Sequence, residues 1–196
     1  PGASGQAQIV VDATGENTIV VAPGANGQLR LDDAMRAVIA RCAVLLVQLE
    51  IPVSTAVAAG HCARAAGATV IVNASPTGAD PDQLATLAAV TDVLVVNETE
   101  AQHRSWPVPH RVVTLGAAGA RYRGPGGTLR VPAPVVTPVD TAGAGDVFAG
   151  VLAGCWAAGP DHALRRACAA GALATLVPGA GDCAPSAQQI DAAVDR

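Results

Sequence analysis

Short β-rich apolar runs alternate with Ala-rich runs of helical length along most of this chain, and that alternation constrains its fold more than any other feature. A parallel strand pair needs a crossover of a dozen residues or more, so such repeats lead to a mostly parallel sheet covered by helices. Hydrophobic residues make up 51% of the chain but aromatic ones only 2%, which leaves Ala, Val and Leu to fill the core. The pattern predicts an α/β fold in one domain, residues 1–196.

Ala43–Leu49 is a near-continuous apolar run with Gln48 and Glu50 at its end. It predicts a central parallel strand whose polar groups emerge at the C-terminal edge of the sheet, where ligands of α/β folds usually sit. Before it, Asp32 predicts the cap of a helix running to about Arg41. After it, Ser54 predicts the cap of a helix ending at Gly67, and strands Thr69–Asn73 and Asp92–Val96 flank a helix opened by Asp80-Pro81. Only thirteen residues, Glu98 to His110, then precede the strand Arg111–Leu115, barely enough for a crossover helix. Strands near Ala120–Arg123 and Thr128–Val131 flank the turn Gly124-Pro125-Gly126-Gly127. Helices follow over Gly145–Ala158, Asp161–Leu176 and Ala187–Val194, the last capped by Ser186. At the other end, Gln6–Asp12 and Thr18–Ala22, joined by Ala13-Thr14-Gly15-Glu16-Asn17, read as a hairpin.

The net charge of −4 with 14% charged residues leaves no basic surface large enough for a phosphate backbone, so nucleic acid is not expected as the main partner. The apolar stretches Cys42–Leu49 and Val147–Ala158 fall short of the ~20 residues a bilayer span needs. From Pro1 onward no charged segment leads into an apolar one, so a cytoplasmic protein without membrane or secretory segments is expected. Cys42, Cys62, Cys155, Cys168 and Cys183 are odd in number and scattered, which suits neither disulfides nor a zinc site. His61, His103, His110 and His162 share no metal-ligand spacing and read as surface or internally satisfied residues.

Asp140-Thr141-Ala142-Gly143-Ala144-Gly145-Asp146 stands directly before an apolar helix. Its glycines let the backbone turn N–H groups toward an anion at the helix N-terminus. Asp146, in the first turn, would repel a resting phosphate, so it reads either as an ordinary first-turn acid or as a base that activates a hydroxyl. A dinucleotide fingerprint fits poorly. Pro134 and Pro138 interrupt the segment where a buried strand should lead in, and the stretch about twenty residues on is the helix around Arg165 and Arg166.

This heptapeptide resembles the C-terminal signature of the ribokinase (pfkB) family of sugar kinases. Asn97-Glu98-Thr99-Glu100 resembles its Asn-x-x-Glu motif, and Thr114-Leu115-Gly116-Ala117-Ala118-Gly119 its nucleotide loop. Pro23-Gly24-Ala25-Asn26 and Gln48-Leu49-Glu50 also resemble family segments, in the family's order. The resemblance runs from about Ser4 to the C-terminus. It implies a three-layer α/β/α, Rossmann-like fold with the remnant of a β lid at residues 6–22.

The resemblance also implies ATP-dependent phosphorylation of D-ribose at its 5-hydroxyl. Asp146 would be the base, Gly143, Ala144 and Gly145 the anion hole, and Glu50 a partner of sugar hydroxyls. Asn97 and Glu100 would organise Mg²⁺ through water, although a Glu in that position is ordinarily a capping acid. Thr114 to Gly119 would lie along ATP with Cys168 near the adenine. Asp140, Ala142, Ala174, Val177, Gly179 and Cys183 would hold K⁺, with Cys183 standing where a hydroxyl residue is often found. Dimerisation would use the lid strands.

The family's first strands, its Gly-Gly sugar loop and much of its lid have no counterpart after Pro1, so the chain is expected to be the C-terminal portion of such a kinase. Another sugar or nucleoside kinase, or a binding remnant without turnover, would carry the same motifs.

Overall fold

The computed structural model describes residues 2–11, 17–76 and 80–194. The first two strands, β1 (Gln6–Val11) and β2 (Asn17–Ala22), pair antiparallel with Gln6 opposite Ala22 and Val11 opposite Asn17. This is the antiparallel pairing expected of these two strands, while Asp12 and the connecting residues 13–16 lie outside the described residues.

A six-stranded sheet makes up the body, in the order β3 (Val44–Val47), β4 (Thr69–Asn73), β5 (Val93–Asn97), β6 (His110–Thr114), β7 (Ala120–Gly124) and β8 (Gly127–Val131). The pairs from β3 to β6 are parallel and the last two antiparallel. Strand order follows chain order, and right-handed crossovers that always step the same way deposit their helices on one face. Those helices are α2 (Val53–Ala65), α3 (Pro81–Ala89) and α4 (Glu98–His103). On this face Val70, Val72, Leu94, Val96 and Val113 pack with Ala56, Ala63 and Leu87.

The opposite face is covered only when the chain returns as α5 (Ala144–Cys155) and α6 (Pro160–Ala174). There Ile71, Val93, Val95, Val112 and Tyr122 pack with Phe148, Leu152, Leu164 and Ala167. Alternate residues of one strand therefore serve two cores, as the period of two requires. Two smaller helices complete the set. α1 (Asp33–Ile39) packs against α2, and α7 (Ala187–Val194) against α6. The three-layer α/β/α expectation holds.

Local chemistry explains most boundaries. Asp32 caps α1 by accepting from Met35 N at 2.8 Å, and Asp80 caps α3 by accepting from Asp82 N and Gln83 N. Ser186 accepts from Gln189 N at 3.3 Å while the Gln189 side chain takes the Ser186 amide, a capping box. Ser54 is not a cap. The helix opens two residues earlier, where the Pro52 carbonyl accepts from Thr55 N and Ala56 N. Residues 156–158 form a separate 3-10 turn after α5 rather than its last turn. The short link after Asn97 does complete a parallel crossover, because α4 is only six residues long and the rest reaches β6 without regular structure.

Candidate active site

Four parallel strands end along one edge of the sheet. That edge carries Glu50 just past β3, Asn97 at the end of β5 and Thr114 at the end of β6. Beyond β8 the chain crosses the sheet as residues 132–143, without regular structure, before entering α5. Between this strap and the sheet lies a cavity of about 430 Å³. Thr114, Gly116, Ala117 and Gly119 line one side, Ala133, Pro134, Val135, Val136 and Pro138 another, and Ala144, Gly145, Phe148 and Cys168 the helical side.

The loop after β6 is closed on itself. Leu115 N donates to Gly119 O at 2.8 Å and Gly119 N to Gly116 O at 3.0 Å. Gly119 has φ of +90°, and a Cβ there would lie 2.0 Å from Val131 O and 2.6 Å from Ala133 N. Only glycine lets the loop and the strap approach this closely.

The N-terminus of α5 points into the same region. Gly143, its N-cap, has φ of +75°, and a Cβ there would meet Ala180 and the Cys183 sulfur at 3.0 Å. Asp140 fixes the approach. Its Oδ1 accepts from Ala142 N and its Oδ2 from Gly179 N, each at 2.9 Å, and these two amides, Ala142 first, hold its pKa below the usual carboxylate range. Val139 N and Asp140 N both donate to Thr175 O, at 2.7 and 3.1 Å, which ties the strap to the end of α6.

In the first turn, Ala144 N makes only a long 3.4 Å contact to Thr141 O. The helix's positive end therefore faces the cavity with free donor capacity. Asp146 lies in this turn, exposed and outside every ion pair among the described residues.

The structure gathers Thr114, Gly116, Ala117, Gly119, Ala144, Gly145 and Cys168 around one cavity, with Gly143 and Asp146 flanking its helical end. Leu115 and Ala118 belong to the loop but not to the lining. Burial pushes the Cys168 thiol up to about 12, so it is a packing group, with a weak 3.7 Å contact to Val131 O. Glu50 is exposed, and its amide is held by the Gln48 side chain.

Asn97 and Glu100 form a reciprocal capping box. Asn97 Oδ1 accepts from Glu100 N at 2.8 Å, Glu100 Oε2 accepts from Asn97 N at 2.9 Å, and Glu100 is 4% exposed. Asp140, Ala142, Gly179 and Cys183 cluster beside Gly143, with the Cys183 sulfur 4.0 Å from Ala142 O. The Ala174 carbonyl accepts from Val177 N at 3.2 Å at the end of α6.

Sequence reasoning missed the strap Ala133–Val136 and the lining residues Phe148, Gly171, Ala172 and Thr175. The latter three did carry a signal. With Cys168 they sit at i, i+3, i+4 and i+7, one face of α6. His110 proves internally satisfied, its Nδ1 2.7 Å from the Tyr122 hydroxyl and its ring edge-on to Trp156.

A family model described as "pfkB family carbohydrate kinase" matches residues 2–187. The chain is 32% identical over 170 residues to the ribokinase of Staphylococcus aureus, covering 76% of this chain and 55% of that protein. It is 29% identical over 211 aligned positions to the deoxyribokinase of Salmonella typhi, covering 96% of this chain and 68% of the relative. Among solved structures, Arabidopsis thaliana ribokinase complexed with ribose and ATP superposes with a TM-score of 0.88 at 25% identity, over 100% of this chain and 70% of that one. The chain thus spans little more than half the length of the S. aureus ribokinase.

Proposed function

The chain belongs to the pfkB family of carbohydrate kinases, and from that premise we propose that it transfers the γ-phosphoryl group of ATP to the 5-hydroxyl of D-ribose. The observation that carries this reading is the cavity whose helical end is the first turn of α5, with helix-terminal amides and a carboxylate side by side. Its volume of about 430 Å³ lies within the range of small-molecule sites. The adenosine part would lie against Thr114–Gly119, Phe148 and Cys168, and the phosphates would approach Gly143, Ala144 and Gly145.

Asp146 would accept the proton of the 5-hydroxyl. The resulting alkoxide attacks the γ-phosphorus in line while the bond to the β-bridging oxygen breaks and ADP leaves. The α5 amides hold the charge on the equatorial oxygens without reorganising, which is what an anion hole contributes. Glu50, at the end of β3, would accept from sugar hydroxyls.

Among the described residues no three His, Cys, Asp or Glu side chains gather as metal ligands. Asn97 and Glu100 are bonded to each other's backbone. With those oxygens engaged, Asn97 and Glu100 would hold Mg²⁺ only through water, and the ion would offset phosphate charge there. Asp140, Ala142, Ala174, Val177, Gly179 and Cys183 fit a K⁺ held mainly by carbonyl oxygens, which would add positive field beside the anion hole. No described helix is long and apolar enough to cross a membrane, and a cytoplasmic homodimer joined through β1 and β2 completes the reading. Val20 and Val21, 62% and 59% exposed, support that interface.

The similarity to a deoxyribokinase over 96% of this chain favours 2-deoxyribose as a second substrate. Product formation from each sugar by the 196-residue chain, followed by ADP release and ³¹P resonance, tests the proposal. Ribose 5-phosphate formed faster than deoxyribose 5-phosphate is the expected result. Nucleotide binding with no sugar phosphate from either would overturn it.

A further inference from the structure

The far side of the sheet carries a second recess of about 570 Å³ that the kinase reading leaves unused. Its walls include Arg111 on β6 and Arg121 and Arg123 on β7, with Glu98 and Gln102 of α4 at its rim. Strand register explains the clustering. Arg111 stands directly opposite Arg123, and Arg121 directly opposite Arg130 on β8. Adjacent strands are about 4.8 Å apart and residues two apart along a strand about 7 Å, so four guanidinium stems spread over three strands rise from a patch roughly 10 by 7 Å at its base.

Like charges facing each other across strands are destabilising, and here two such pairs sit side by side. None of the four arginines is in an ion pair among the described residues, whose ion pairs join Arg64 to Asp92, Arg165 to Asp161 and Arg166 to Asp191. Arg111 shows the crowding directly. Burial and then the charges of Arg121 and Arg123 lower its pKa. Its Nη2 donates to Ala101 O at 2.9 Å, which leaves its other donors available to the recess. The face is open because α4 stops at His103 and packs against β5 and β6, short of β7 and β8. In a chain of net charge −4, four of the twelve basic residues converge here.

We propose that this arginine face is a binding site for a small diphosphate-class anion. Each guanidinium presents a planar fork that matches two phosphate oxygens, and the three forks that line the recess, with Arg130 beside them, suit two linked phosphate groups. One glutamate at the rim leaves the recess strongly positive. The site lies on the α2–α4 side of the sheet, opposite the cavity beneath α5, and does not depend on the kinase reading.

The test is a titration of the ¹⁵N-labelled full chain with inorganic diphosphate, following the arginine Nε–Hε resonances, against sodium chloride at matched ionic strength. The expected result is saturable one-to-one shifts at Arg111, Arg121 and Arg123 with diphosphate alone. Arg121→Gln with Arg123→Gln should weaken binding at least tenfold while circular dichroism and the thermal midpoint stay within error or improve. Equal shifts from both salts would reduce the face to screened surface charge and overturn the proposal. So would undiminished affinity in the double variant, which would place the anion elsewhere, such as the α5 N-terminus.

Discussion

Gly116 and Gly119 sit three residues apart in the loop that walls the nucleotide-sized cavity, both with positive φ, yet replacing each by alanine should have very different consequences. At Gly116, φ is +55° and a Cβ meets nothing within 4 Å. The cost is then only the left-handed conformation, about 1–2 kcal/mol. At Gly119 the backbone, φ +90° and ψ −128°, lies in a region alanine avoids at a cost of about 1–3 kcal/mol. Its Cβ would also overlap Val131 O at 2.0 Å and Ala133 N at 2.6 Å, backbone atoms that cannot rotate away. Overpacking of that kind adds about 1–3 kcal/mol. Gly119→Ala should therefore lose about 4 kcal/mol, the sum of the two ranges' midpoints, and Gly116→Ala about 1.5 kcal/mol, the midpoint of its single range. In a domain of this size each kcal/mol lowers Tm by about 2–4 °C. Urea unfolding followed by tryptophan fluorescence measures both. Equal losses, or a Gly119→Ala variant as stable as the parent, would refute the claim that this glycine sets the spacing of loop and strap.

Three further outcomes follow from the packing. Burial lowers the His110 pKa from its ordinary 6.5, with Asp92 opposing in part, so the fold favours the neutral ring. Its contribution to stability is present above pH 6.5 and lost as pH falls through the depressed folded value, because the unfolded chain takes up the proton first. Urea midpoints between pH 8 and 5 should fall, and His110→Asn should flatten the slope. In α2 a Cβ at Gly60 would lie 2.7 Å from Val90 Cγ2. Gly60→Ala should therefore destabilise by about 1 kcal/mol, overpacking outweighing the ~1 kcal/mol gain in helix propensity. In a Val90→Ala background the sign should reverse, read from the same urea curves. Finally, Cys42 is exposed whereas Cys168 is buried with its thiol pushed up to about 12. A thiol reagent at pH 8 should label Cys42 first, and Cys168 only on unfolding, since its thiolate fraction is on the order of 10⁻⁴. Mass mapping of labelled peptides checks the order.

The sheet was legible because its central strands must be apolar on both faces. Val70, Val72, Leu94 and Val96 feed one core while Ile71, Val93 and Val95 feed the other, and this leaves the unbroken runs that mark β4 and β5. Asp32, Asp80 and Ser186 were legible as caps because side-chain capping is a local interaction. Ser54 misled because the Pro52 carbonyl starts the helix two residues earlier, which no side-chain signal announces.

Around the cavity, the glycine turns could be found from sequence but the strap could not. Residues 132–143 have no period to detect, and their place is set by long-range contacts such as Val139 N to Thr175 O. Asn97 and Glu100 illustrate a different limit. The same residue pattern describes a capping box and a metal-proximal pair, and geometry shows that the box is formed. The arginine face was hidden too, since alternating arginines on β7 read as an ordinary exposed strand until register sets them opposite Arg111 and Arg130.

The direct test of Asp146 as the base is to measure sugar phosphorylation and ATP affinity side by side in the parent chain and Asp146→Asn. The substitution keeps the size of an exposed first-turn side chain and removes its proton-accepting charge. Loss of a general base should lower kcat by roughly 10²–10⁴ while ATP affinity changes by less than about threefold. Turnover at the parent rate in Asp146→Asn would contradict the assignment of the base, and with it the mechanism built on the first turn of α5.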